Sequence, residues 1–415
     1  MRNSGFWWII VVLMVLLDFY VFQAVKVVSQ GASHKVKLIL YSSYWTISAA
    51  AVILLIIIPF INYDSWPRSV RTYLFATIVG LFFAKILAVV FFLLDDLRRL
   101  LQWASSKLFF NNTEGEDIGT ERISRSVFMS WAGLLVGGGL FSTLVYGFSN
   151  KYKYELRKVP LAFSNLPSAF KGLKIIHISD IHSGSFTDKH AVQKGIELIM
   201  RQRPDLILFT GDLVNDRAIE MQPYMDIFGS LKAPLGVYST LGNHDYGDYV
   251  RWDSQEVKRA NLDRLKEVHG ELGWRLLMNE HVVLEKDGHS IALLGIENWS
   301  AKGNFPKYGK MDQAYLGAQQ HPFKILLSHD PSHWEGQVRG QYPDIDLMLA
   351  GHTHGMQFGV EVPGFRWSPV QYVYRQWAGL YEEGNQKLYV NRGFGFIGYP
   401  GRVGILPEIT LIELV

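Results

Sequence analysis

Residues 174–182 read KIIHISDIH, a β-branched apolar run that stops on Asp180-Ile181-His182. The same construction returns as LILFTGD at 206–212, VYSTLGNHD at 237–245, KILLSHD at 324–330 and LMLAGHTH at 347–354. Each is a short strand signal closed by a polar cluster. A further strand pattern covers Ile291–Ile296, where the polar residue is Glu297, and helical patterns cover Asp188–Gln202 and Ser254–Leu272. Strands alternating with helices predict a layered α/β domain, in which loops at the carboxyl ends of several strands converge on one crevice.

The convergent residues are Asp180 and His182, Gly211-Asp212, Gly242-Asn243-His244-Asp245, Ser328-His329-Asp330, and His352 with His354. Taken singly, a DxH or HxH is an ordinary polar turn at a strand end. Together they supply the mixture of carboxylate, amide and imidazole donors that a close pair of divalent cations requires. Alternate residues leaving a strand point to the same side, so one motif can offer two donors to one pocket. Gly211, Gly242 and Gly351 stand before the donors, where a positive φ or a close backbone approach excludes a side chain.

In order and residue type the clusters resemble the calcineurin-like metallophosphoesterases, whose pattern runs DxH, GD, GNHD or GNHE, H and GHxH; the membrane-anchored bacterial branch is the most similar. The likeness covers about Leu173 to Val415, including a closing stretch from Lys387 to Leu414. It implies a sandwich of two β-sheets flanked by helices. It also implies two divalent ions, manganese, iron or zinc, that generate a bridging hydroxide to attack a phosphomonoester, phosphodiester or pyrophosphate. Carried over by position, Asp180, His182 and His354 would hold one ion, Asn243, His329 and His352 the other, and Asp212 would bridge them. His244 would be the catalytic contact at phosphorus with Asp245 orienting its ring, and Asn243 and His244 would touch substrate.

Arg392 and Arg402 flank a glycine-rich aromatic segment, NRGFGFIGYPGR at 391–402, and arginine forks suit phosphate. Arg392 is therefore a substrate-binding candidate, with a surface hairpin as the competing reading. The histidines at 177, 190, 269, 281, 289, 321 and 333 fall outside the motifs and read as ordinary polar residues.

The N-terminal third is of another kind. Four apolar stretches, near 6–25, 38–61, 72–94 and 127–148, are each long enough to span a bilayer. Residues 1–150 thus read as a four-helix transmembrane domain, 151–173 as a linker and 174–415 as the catalytic domain. Asp18 and Lys85 lie within the first and third stretches, which points to a structural ion pair or a snorkelling side chain more than to a transport or ligand role. Asp95–Phe110 reads as an interfacial amphipathic helix and Asn111–Glu121 as a flexible acidic loop.

Composition removes several function classes. The 415-residue chain has no cysteine, which excludes disulfides and thiolate chemistry. Of the +3 formal charge, the first 150 residues carry +4 (12 Lys/Arg against 8 Asp/Glu) and the rest −1 (29 against 30), so the rest is near neutral and without the basic stripe a nucleic-acid partner needs. The partners expected are the bilayer and a phosphorylated lipid or envelope substrate. The competing reading, a receptor or inactive relative with a structural metal site, is disfavoured by the intact motif set including His244. Flanking charges are balanced across the membrane. Arg98, Arg99 and an export-signal-like stretch at Ser124–Met129 favour a bacterial inner-membrane protein whose catalytic domain is extracytoplasmic.

Overall fold

The computed structural model describes residues 5–109, 125–303, 305 and 307–415. The chain divides into two units, Met1–Tyr146 and Gly147–Val415.

Among the described residues, four helices are long and apolar enough to cross a membrane: α1 (Gly5–Val28), α2 (His34–Ile57), α3 (Arg68–Phe109) and α4 (Arg125–Gly147), which make up the first unit up to Tyr146. Lys85 of α3 is ion-paired with Asp18 of α1 and donates to Ser48 Oγ of α2 at 3.1 Å, while Tyr44 of α2 donates to the Asp18 carbonyl at 2.7 Å. All three of Asp18, Ser48 and Lys85 are buried, so the charges join three helices and face no lipid. On α4, a Cβ at Gly133 or Gly137 would collide with the backbone of α3 at Ala88 or Ala84, the close approach that small residues permit between spans.

One expectation fails here. No separate amphipathic helix begins at Asp95, because α3 runs unbroken for 42 residues through Phe109. The segment from 94 contains no glycine or proline, and Asp95 and Asp96 pair with Arg98 and Arg99 one turn on, which continues a helix instead of ending it. The acidic loop expected at Asn111–Glu121 and Ser124 of the export-like stretch lie outside the described residues.

Among the described residues the second unit has fourteen strands: β1 (Glu155–Leu161), β2 (Lys174–Ile178), β3 (Leu206–Phe209), β4 (Val237–Ser239), β5 (Arg275–Leu276), β6 (Glu280–Lys286), β7 (His289–Gly295), β8 (Lys324–Leu327), β9 (Leu347–Ala350), β10 (Val360–Val362), β11 (Phe365–Trp367), β12 (Gly379–Glu383), β13 (Gln386–Val390) and β14 (Glu408–Leu414). One sheet has the order β1-β14-β2-β3-β4-β5, the other β12-β13-β9-β8-β7-β6, and β10–β11 is a separate hairpin. The run of residues 151–173 is not a linker. It carries β1, which pairs in parallel with β14 from Glu155↔Glu408 to Leu161↔Leu414.

Strand periodicity builds the layers. On β2 and β3, Ile175, Leu206 and Leu208 enter the core shared with Leu293, Ile325, Leu327 and Leu349 of the other sheet. Their alternates Ile176, Ile178, Ile207 and Phe209 pack outward against helix α5 (Lys189–Arg201) and the helix Gln255–Glu271. Both faces of these central strands are buried, which is why they read as unbroken apolar runs. The parallel order of β2-β3-β4 and β7-β8-β9 directs the loops after five of these strands to one end of the sandwich.

Candidate metal centre

The loops that follow β2, β3, β4, β8 and β9 gather the sequence-derived donors into two groups, Asp180 with His182 and His354, and Asp212 with His329 and His352. Within each group the candidate ligand atoms lie within 4.8 Å of one another. Asp212 Oδ2 is 3.1 Å from His329 Nε2 and 3.6 Å from His182 Nε2, so one oxygen faces both groups. Asn243 joins the second group, its Oδ1 lying 2.8 Å from His352 Nδ1.

The motifs do not project their donors through strand pleating. Asp180, His182, Asp212, His352 and His354 all have left-handed backbones, with φ of 54°, 48°, 61°, 71° and 50°. The chain turns sharply at each donor, a conformation that non-glycine residues adopt at a cost of about 1 kcal/mol or more. The glycines accommodate the crowding. Gly211 has φ of 96°, and a Cβ there or at Gly351 would strike the Gly242 backbone or Asp180's carboxylate respectively.

Ring tautomers are set from outside. His329 Nδ1 donates to the Thr210 carbonyl at 2.7 Å, leaving the Nε2 lone pair directed at Asp212 and at His352 Nδ1, 3.3 Å away. His352 Nε2 donates to Tyr374 Oη at 2.8 Å, and Tyr374 in turn donates to Asp330 Oδ2 at 3.2 Å. His182 Nε2 and His354 Nε2 are 3.1 Å apart. Ring nitrogens facing one another at such distances, beside carboxylates, need a cation or a proton between them. The donor set therefore fits divalent ions. Burial alone would depress His329, but Asp212 against its Nε2 holds the pKa up to about 10, so a proton competes for the position a metal would take. Burial lowers His182, His352 and His354.

His244 donates from Nδ1 to the Asn215 carbonyl at 2.8 Å, with its ring against Tyr249 and edge-on to His182. It belongs to neither donor group. Asp245 does not orient it. The Asp245 carboxylate is fully buried and accepts from the backbone N–H groups of Gly242 (2.8 Å), Asp212 (2.9 Å), Leu213 (2.8 Å) and Val214 (3.3 Å). Adjacent residues on this tight turn point apart, so Asp245 ties two donor loops together while His244 faces the site. Burial, and then the Asp212 charge, push the Asp245 pKa up to about 7.

Arg392 is not placed to touch substrate. It is 1% exposed and committed to Glu361 and Glu408, at 2.6 Å each. Arg402, equally buried, lies behind His354, donating to the carbonyls of His354 (3.3 Å) and Arg392 (2.7 Å) and approaching His354 Nδ1 at 3.2 Å. Sequence reasoning missed Tyr374, Tyr249 and Asn215, for none stands in a motif. The histidines at 177, 190, 269, 281, 289, 321 and 333 stay out of both groups; His177, His269 and His333 are buried against Thr210, Ser239 and Ser328.

A two-sheet sandwich whose strand ends present two neighbouring groups of carboxylate and imidazole donors is the architecture of a metallophosphoesterase. Residues 173–356 match the family "Calcineurin-like phosphoesterase", and residues 1–151 match "Probable Calcineurin-like phosphoesterase, transmembrane domain". The chain belongs to the calcineurin-like phosphoesterases, in the four-transmembrane group. It is similar to a transmembrane protein with metallophosphoesterase domain from Danio rerio, 30% identical over 65% of this chain and 60% of that one. It is also similar to phosphodiesterase YaeI of Escherichia coli, 29% identical over 63% of this chain and 88% of that one. The UDP-2,3-diacylglucosamine pyrophosphatase LpxG of Chlamydia trachomatis is 28% identical over 61% of this chain and 88% of that one. The chain thus spans under two thirds of the zebrafish protein's own length.

Proposed function

We propose that this protein is a membrane-anchored phosphoesterase that hydrolyses a phosphomonoester, phosphodiester or pyrophosphate bond of a lipid or cell-envelope substrate, using two divalent ions. The observation that carries the reading is Asp212 Oδ2 facing His182 and His329 at once, with His244 beside the groups but in neither. Asp180, His182 and His354 would hold one ion and Asn243, His329 and His352 the other, with Asp212 between them. When bound, such a pair polarises phosphoryl oxygens and supplies a nucleophile from water near neutral pH.

The residues themselves do the positioning. The Asn215 carbonyl holds the Nδ1–H of His244, which leaves Nε2 for the site; with the ring in its imidazolium form, Nε2–H would stabilise charge on a phosphoryl oxygen or pass its proton to a leaving group. The named activities of YaeI and LpxG, a phosphodiesterase and a UDP-2,3-diacylglucosamine pyrophosphatase, support both bond types and, through the diacyl group in the second name, a lipid substrate. So do the four membrane spans, because tethering raises the effective concentration of bilayer substrates.

For the catalytic unit we favour the extracytoplasmic face of a bacterial inner membrane. Of the cations just after α4 that would pull it to the cytoplasm, Arg157 is paired with Glu155 and Glu361 within the folded unit and Lys151 is buried, so neither is a freely solvated flanking charge. The purified protein, loaded in turn with manganese, iron and zinc, is to be screened against lipid phosphodiesters, lipid pyrophosphates and soluble nucleotides. No turnover with any metal would overturn the enzymatic reading. A compartment-specific reporter fused after Val415 tests the orientation, and activity of a cytoplasm-only reporter would reverse it.

A further inference from the structure

The hairpin of β10 and β11 has two unlike faces, as strand alternation requires. Its inward residues are anchored: Glu361 accepts from Arg157 and Arg392, and Arg366 donates to the Ala378 carbonyl. Its other face carries Val360, Val362, Phe365 and Trp367, with Val362 53% and Phe365 57% exposed. Beside it stand Tyr372 and Val373, 77% and 57% exposed, and Trp367 Nε1 donates to Tyr372 Oη at 3.4 Å. An uncovered apolar strand face continued by aromatic residues is a binding surface.

The root of the hairpin identifies what covers it. The last membrane span ends at Gly147, which is also the first residue of the catalytic unit. Arg402 donates its backbone N–H to the Gly147 carbonyl at 2.9 Å, and the next residue, Val403, exchanges backbone hydrogen bonds with Gln357 and Gly359 at the start of the hairpin. A Cβ on Gly147 would meet Val403 Cγ2 at 2.6 Å. The base of the hairpin is therefore tied to Gly147, the first residue of the catalytic unit and the next in the chain after the membrane unit. Three residues of strand reach roughly 10 Å, comparable to the depth of the headgroup layer. Tryptophan and tyrosine side by side, each apolar with one polar atom, are the residues that favour that layer.

We propose that the β10–β11 hairpin with Tyr372 and Val373 is a membrane-docking surface that seats in the lipid headgroup region. It holds the catalytic unit against the bilayer and does not depend on what the metal centre hydrolyses. The chain has no cysteine, so a single one can be placed at will. Val362→Cys, Phe365→Cys and Val373→Cys, with Leu316→Cys as an exposed control, are to be labelled with an environment-sensitive fluorophore in the full-length protein. The labelled proteins are then reconstituted in phosphatidylethanolamine and phosphatidylglycerol nanodiscs with plain or brominated acyl chains. Brominated chains should quench the three hairpin and ledge labels by about half or more while Leu316 changes by under about a tenth. Labels that stay water-exposed, or that are shielded from water yet unquenched and so covered by protein, would overturn the proposal, as would equal quenching at Leu316.

Discussion

Replacing Asp245 with asparagine separates two roles that its position in the GNHD motif leaves confounded. If Asp245 oriented the His244 ring, Asp245→Asn would lower turnover and leave the fold intact. The observed contacts lead elsewhere, since both carboxylate oxygens accept pairs of backbone N–H groups, Gly242 with Asp212 on one and Leu213 with Val214 on the other. Asparagine keeps one acceptor oxygen and turns an NH2 group toward the second pair, leaving two buried donors unsatisfied. At about 1–3 kcal/mol each, the loss is about 2–6 kcal/mol. For a unit of this size that is a fall in melting temperature of roughly 5–20 °C. The assay is thermal unfolding by tryptophan fluorescence in detergent, with hydrogen exchange of peptides covering Asp212–Val214 and Gly242, whose amides should lose protection. Metal content should fall as well, because the released turns carry Asp212 and Asn243. A variant with unchanged melting and unchanged exchange but diminished turnover would refute the reasoning.

Other outcomes follow from the same geometry. Asp212→Asn should leave about one metal per chain or fewer, since two cations would then face each other with less charge between them; elemental analysis showing two, with near-normal turnover, would sink the bridging role. His244→Ala should keep both metals and lose roughly 100-fold to 10,000-fold in turnover, whereas loss of metal alongside activity would make it a ligand. Tyr374→Phe removes the hydroxyl between His352 Nε2 and Asp330 and should weaken metal binding by roughly 10-fold to 100-fold in a chelator competition. Burial lowers His269 to about 3, below its unfolded value, so the stability it confers is present above about pH 6.5 and lost as pH falls toward 3. Between about pH 7.5 and 5 the loss is about 2 kcal/mol, and His269→Gln should show a correspondingly flatter pH dependence of melting.

The readable part of this fold is the part written in short-range pattern. Each strand that ends in a donor is a buried apolar run followed at once by its polar residues, so β2, β3, β4, β8 and β9 and the residues after them could be located from sequence alone. What escaped depends on distant partners. Strand β1 is unremarkable until it meets β14, some 250 positions on, at Glu155↔Glu408. Arg392 was misread because a guanidinium beside glycines suits phosphate equally well, and only the fold brings Glu361 and Glu408 to it. Tyr374 sits in no motif, and its role exists only because its hydroxyl lies between His352 and Asp330.

The backbone at the centre explains why so much of the fold is spent on holding it. Five of the ten non-glycine residues with positive φ among the described residues are proposed metal ligands. Each is held in a conformation it would leave if released, with ring nitrogens facing one another at 3.1 and 3.3 Å. Local sequence cannot favour such an arrangement; it persists because strands buried on both faces fix where each turn begins, and because Asp245 and Arg402 bind the turns from behind. Divalent ions would then satisfy the facing nitrogens but not relieve the backbone strain, so metal affinity and stability of the sandwich are coupled. A cavity cut between the sheets, far from any donor, should loosen the ions as surely as the loss of a ligand's hydrogen-bond partner.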